Sequence, residues 1–71
     1  MKFDKNFKYT FRKEKYFQYI KEQGRHISSV EQNFGKKYDG MNVKIINENQ
    51  GVVDNLYQVM SIWCDKYEIN S

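Results

Sequence analysis

Cys64 and His26 are the only thiol and the only imidazole in the chain, and they are the residue types from which a nucleophile and its base are built. Such a pair works only when the base lies within hydrogen-bond reach of the nucleophile. Here the two are far apart in sequence with no motif around either, and Cys64 directly follows Trp63, the setting of a small core hydrophobe rather than of a reactive thiol. His26, two positions past Gly24, reads as a loop residue. One cysteine cannot close an internal disulfide, and one cysteine with one histidine cannot complete a four-ligand zinc site. The carboxylates Asp39, Glu48, Asp54, Asp65 and Glu68 lack the spacing of a calcium loop, and the pattern fixes no pair of them on a common face for acid–base work. Gly35, Gly40 and Gly51 stand alone in what read as separate turns, so no phosphate loop is expected. The expectation is a protein that is not an enzyme and carries no cofactor or metal.

Charge and aromatic rings offer more. Lys8, Arg12, Lys13, Lys15, Lys21 and Arg25 are interleaved with Tyr9, Tyr16 and Tyr19, which combines cations that neutralise phosphates with rings on which bases stack. Tyr16 falls on the core face of a helix, leaving Tyr9 and Tyr19 as candidate platforms. The competing reading is a solvated helix face over a core made by the same rings, and it has the better support because Phe17 and Ile20 must be buried somewhere. Residues 1–25 hold eight Lys/Arg against three Asp/Glu, a local +5, and the remainder holds four against six, a local −2. So polarised a chain attracts acidic partners to one part of its surface. In its second half Glu48, Asp54, Asp65 and Glu68 could imitate phosphates.

These residues need elements to position them. Phe7, Tyr9 and Phe11 alternate with Lys8, Thr10 and Arg12, which predicts a strand over residues 6–11. From Lys13 to Glu22 the period becomes helical, with Tyr16, Phe17 and Ile20 on one face and Gly24 at the C-cap. Ser28 and Glu31 have the spacing of a capping box, predicting a second helix to about Asn33, ended near Gly35, with a turn over 36–40. Its exposed face would carry Glu31 where a DNA-reading helix wants a cation, so base-specific readout is not expected. Residues 41–46, 51–53 and 56–60 read as strands around a polar loop at 47–51, closed by Ile62, Trp63 and Cys64. A rival reading puts Val52, Val53, Leu56, Val59, Met60, Trp63 and Tyr67 on one helical face. Strands are preferred because Gly51 and the Asp54–Asn55 pair interrupt the run. The expected core is Phe11, Phe17, Ile20, Val43, Ile45, Val53, Val59 and Trp63.

With 71 residues the chain forms one small domain, residues 6–35 supplying strand and helices and 40–69 the antiparallel sheet, with a net stability on the order of 3–5 kcal/mol. Five Phe, six Tyr and one Trp supply the packing that disulfides and metals supply elsewhere. No apolar run approaches a membrane span and Met1–Lys5 lacks the apolar core of a signal peptide, so a cytoplasmic protein with no membrane partner is expected. High Lys, Asn, Ile and Tyr usage without Pro is the style of an AT-rich bacterial or phage coding sequence.

Residues 11–16 (Phe-Arg-Lys-Glu-Lys-Tyr), Asp39–Gly40 ahead of Val43, and Tyr57-Gln-Val59 followed by Trp63–Cys64 make residues 11–69 resemble small uncharacterised phage and prophage proteins of low-GC Gram-positive bacteria. The resemblance implies a helical N-terminal part and an SH3-like C-terminal part, hence an α+β fold of a short strand, two short helices and a small SH3-like antiparallel curled sheet. It carries over no functional residue. The expected function is binding: an accessory or inhibitor encoded by a phage or mobile element that occupies a host protein, such as a nucleic-acid-processing or defence enzyme, in the manner of anti-CRISPR proteins. The alternative is a sequence-independent nucleic-acid-binding module using the basic strip. Self-association through exposed Tyr and Trp is a third course, and the sequence does not decide the oligomeric state.

Overall fold

A computed structural model describes residues 2–69 of the chain. The order of elements is β1 (Phe7–Phe11), α1 (Lys13–Glu22), α2 (Ser29–Tyr38), β2 (Lys44–Asn47), β3 (Gln50–Val53), β4 (Tyr57–Val59), a 3₁₀ turn (Ser61–Trp63) and β5 (Cys64–Glu68). The class is α+β. The helical rival for the last third is excluded, since Asp54 and Asn55 take φ of +57° and +52° and turn the chain between β3 and β4.

The strands form two antiparallel sheets, β1 with β5 and β2–β3–β4. Residues 41–43 link them: the Phe11 N–H donates to the Met41 carbonyl at 2.9 Å, the Val43 N–H donates to the Tyr9 carbonyl at 2.9 Å, and Thr10 bridges Asn42. One extended segment thus leaves the side of β1 and enters the other sheet as β2, the corner by which a sheet folds over itself. The N-terminal segment closes the open side, the Phe3 N–H donating to the Glu48 carbonyl at 2.7 Å.

Both helices start as their sequences dictate, by different means. At α2 the Glu31 N–H donates to the Ser28 hydroxyl at 3.1 Å and the Ser28 N–H to the Glu31 carboxylate at 3.0 Å. That completes the expected capping box, worth about 1 kcal/mol. At α1 Arg12 offers no side-chain cap. Asp39 supplies it from across the fold, its carboxylate accepting the Lys13 N–H at 3.0 Å.

Several boundaries differ from expectation: β2 covers Lys44–Asn47 where 41–46 read as a strand, because 41–43 are held by β1, and β4 covers Tyr57–Val59 where 56–60 did. Helix α2 runs on to Tyr38, past Gly35, which is buried inside it with the Phe17 ring so close that an added Cβ would lie 2.7 Å away. Glycine there permits close helix packing instead of ending the helix. The hairpin loop between β2 and β3 is tighter than 47–51, for Gln50 and Gly51 belong to β3, and Gly51 is covered by Phe3 and Val43. Finally, residues 64–68 form a strand that returns to pair with β1, Phe11 opposite Cys64 and Phe7 opposite Glu68.

Phe11, Ile20 and Val53 are fully buried, joined in the core by Phe3, Tyr9, Tyr16, Tyr38, Val59 and Cys64. Burying a side chain the size of Phe11 is worth about 3 kcal/mol. Phe17, Val43, Ile45 and Trp63, expected inside, are half-buried and pack on the rim of this core.

Candidate functional site

The basic strip is divided by the fold. Tyr9 is not an exposed platform. As an odd residue of β1 it points inward, is 3% exposed, stands edge-on to Phe3 at 4.9 Å and accepts the Asp4 N–H on its hydroxyl at 2.9 Å. Tyr19 is half-buried against the Trp63 ring, centroids 5.7 Å apart. Buried Tyr9 offers no open face for base stacking, while Tyr19 remains partly exposed.

Several of the cations are occupied. Arg12 lies 3.8, 3.5 and 3.6 Å from carboxylate oxygens of Glu14, Asp39 and Asp65, and Lys15 lies 2.9 Å from Asp65 while donating to the Cys64 carbonyl at 3.2 Å. This cluster joins the start of α1, the end of α2 and β5. The Lys15 hydrogen bond holds the Asp65 carboxyl below the usual carboxylate range, with Tyr67 and Arg12 adding to the effect. Arg25 pairs with Glu31 at 2.9 Å, and the hydrogen bonds Glu31 receives from Ser28 hold its carboxyl low as well. Lys8 and Lys21 are exposed, and Lys13 is half-buried at the start of α1. Among the described residues Lys8, Lys13 and Lys21 have no carboxylate partner.

The acidic candidates do not gather either. Glu48 sits in the β2–β3 turn with Lys2 at 3.5 Å, Asp54 at the β3–β4 turn, Asp65 inside the Arg12 cluster and Glu68 at the end of β5. Among the described residues no three His, Cys, Asp or Glu side chains come together as a metal would need. Cys64 is buried, donates to the Met60 carbonyl at 3.4 Å, and burial pushes its thiol up to about 12. A thiol in that setting is not nucleophilic at neutral pH.

One set of contacts, the aromatic junction of α2 with β4, was not singled out in the sequence. The turn at Asp54 and Asn55, closed by the Leu56 N–H donating to the Val53 carbonyl at 3.1 Å, leads β4 back toward α2. Tyr57 then stands edge-on to Phe34 at 5.5 Å and lies 5.5 Å from Tyr38. Leu56 precedes Tyr57, and Val30 lies one helical turn before Phe34. Val30, Leu56 and Tyr57 are 76, 68 and 45% exposed. Two signals carried this surface: the Val30/Phe34 spacing on α2 and the Leu-Tyr pair that follows two turn residues. Lys36 and Lys37 lie in the last turn of α2, with the Lys37 ammonium 5.4 Å from the Tyr38 ring.

No helix among the described residues is long and apolar enough to cross a membrane. No family model, curated protein or solved structure matches the chain.

Proposed function

We propose that the chain is a non-enzymatic binding protein that docks on another protein through the surface of Val30, Phe34, Leu56 and Tyr57. The observation that carries this reading is the contact of half-exposed Tyr57 with Phe34 and Tyr38, with exposed Leu56 next to Tyr57 in the chain and exposed Val30 one helical turn before Phe34. Tyr is among the side chains that binding hot spots favour, and aliphatic neighbours around such an anchor help to exclude water. The partner that fits presents an apolar patch with a carboxylate at its rim, which Lys37 beside Tyr38 meets. The resemblance to phage and prophage proteins narrows the reading to an accessory inhibitor, acting in the cytoplasm on a host protein such as a nucleic-acid-processing or defence enzyme. Occupying a surface needs no chemistry.

Direct nucleic-acid binding is the second reading, favoured by exposed Lys8 and Lys21 and a net charge of +3. It is weakened by the burial of Tyr9 and by the ion pairs of Arg12, Lys15 and Arg25. Capture of a partner by the tagged chain and by its Leu56→Asp variant tests the choice: the apolar surface requires that the variant lose the partner.

A further inference from the structure

Strand β5 pairs with β1 on one side and has no strand on the other among the described residues. Antiparallel strands alternate residues whose backbone groups face the partner strand with residues whose groups face away. On β1 the Tyr9 carbonyl and both backbone groups of Phe11 are engaged on the side of residues 40–43, so these odd positions turn away from β5. Their partners across the register are Lys66 and Cys64. It follows that Lys66 and Glu68 aim their backbone N–H and C=O groups out of the fold; at Cys64 the same groups are taken within the chain, its N–H by the Ser61 carbonyl and its carbonyl by the Lys15 ammonium at 3.2 Å. No other hydrogen bond among the described residues takes the outward groups of Lys66 or Glu68. Such an edge is a template for another strand.

We infer that this edge pairs with the β5 edge of a second copy, antiparallel about a twofold axis through Tyr67. In that register Lys66 faces Glu68 of the other copy, their outward backbone groups exchange both hydrogen bonds, and the pair repeats by symmetry. Lys66 and Glu68 have no ion-pair partner among the described residues; the Lys66 ammonium rests 4.1 Å from the Phe7 ring centroid. The two Tyr67 side chains, 47% exposed, meet on the outer face.

The neighbouring registers fail. An axis through Lys66 opposes Lys66 to its own copy and requires the Cys64 carbonyl that Lys15 occupies. An axis through Asp65 also requires that carbonyl and opposes Asp65 to itself. An axis through Glu68 opposes two carboxylates. Like charges directly opposite are unfavourable, so only the Tyr67 register satisfies both the backbone and the charges.

Equilibrium sedimentation from about 1 μM to about 1 mM, with site-resolved amide exchange at both ends of the range, tests this. The expected result is a shift from one chain to two, with the Lys66 and Glu68 amides protected only in the dimer while Tyr67, whose amide faces Lys8, is protected throughout. Lys66→Glu and Glu68→Lys should each weaken the dimer about tenfold or more, and the double reversal should restore it to within about threefold. Urea unfolding of each variant separates loss of pairing from loss of fold. A single chain across the whole range, or a dimer whose Lys66 and Glu68 amides stay unprotected and whose affinity ignores both reversals, overturns the inference. The apolar surface of α2 and β4 is elsewhere, so the fate of one proposal does not decide the other.

Discussion

The Lys15 ammonium of α1 lies 2.9 Å from the Asp65 carboxylate of β5, while the Arg12 guanidinium reaches the same carboxylate at 3.6 Å. Cations that could have met a phosphate therefore tie the helical layer to the last strand. Asp65 has a folded pKa below its ordinary value near 3.8. A depressed carboxyl stabilises the fold at pH above the unfolded value, and this contribution is lost as pH falls through the lowered folded value. The pair is partly exposed and screened by solvent, so Asp65→Asn should cost no more than about 1 kcal/mol at pH 7. Urea unfolding of wild type and variant should show a gap at neutral pH that closes in acid. A gap of the same size at pH 2 would mean that Asp65 acts through packing instead.

Glycine substitutions should separate two kinds of close approach. A Cβ on Gly51 would meet the Phe3 ring at 2.6 Å and Val43 at 2.7 Å, while one on Gly35 would meet only the Phe17 ring at 2.7 Å, apart from a looser contact with Lys13. Gly51→Ala should destabilise by about 1–3 kcal/mol, because neighbours on both sides must move. For Gly35→Ala the clash is partly offset by the roughly 1 kcal/mol that alanine gains over glycine within a helix. Thermal unfolding of both variants checks the order, which reverses if the Phe17 ring is less free to shift than the Phe3–Val43 pair.

How far the fold could be read from the sequence depended on the range of the interaction. Local signals held: the alternation of Phe7, Tyr9 and Phe11, the helical face of Tyr16 and Ile20, the Ser28–Glu31 box, and the turn at Gly40, whose φ is +83°. Those that failed depended on distant residues. Gly35 looked like a helix end because only the Phe17 ring makes it a packing position. Arg12 looked like phosphate-binding charge because Asp39 and Asp65 reach it from far along the chain. The strand at 64–68 is specified chiefly by its pairing with β1, which no local period reveals. Tyr9 is a different case: the alternation already pointed its ring inward, and its phenol is satisfied inside the fold by the Asp4 N–H.

Cys64 should be chemically silent in the native state. With its thiol pushed up to about 12, the thiolate fraction at pH 8 is about a thousandfold below that of a free cysteine. Alkylation followed by mass spectrometry should show slow modification of the folded protein and rapid modification in denaturant. Fast labelling of folded protein would reopen a reactive role for this residue.

Val30→Asp and Leu56→Asp should leave stability within about 0.5 kcal/mol of wild type, as is usual for exposed positions. Each should cost a docked partner at least about tenfold in affinity if the surface is a hot spot. Unfolding curves together with a binding titration on the captured partner would read both quantities from the same preparations.

The central claim, that the chain binds protein through its apolar surface, is tested most directly by capture from bacterial lysate with tagged wild type and Leu56→Asp in parallel, with and without nuclease and at two salt concentrations. The expected result is a stoichiometric protein that survives nuclease and higher salt with wild type and is absent with the variant, because apolar contacts are little screened while phosphate contacts weaken steeply with salt. Recovery of nucleic acid alone, lost at higher salt and indifferent to Leu56→Asp, would contradict the claim and return the function to Lys8, Lys13 and Lys21.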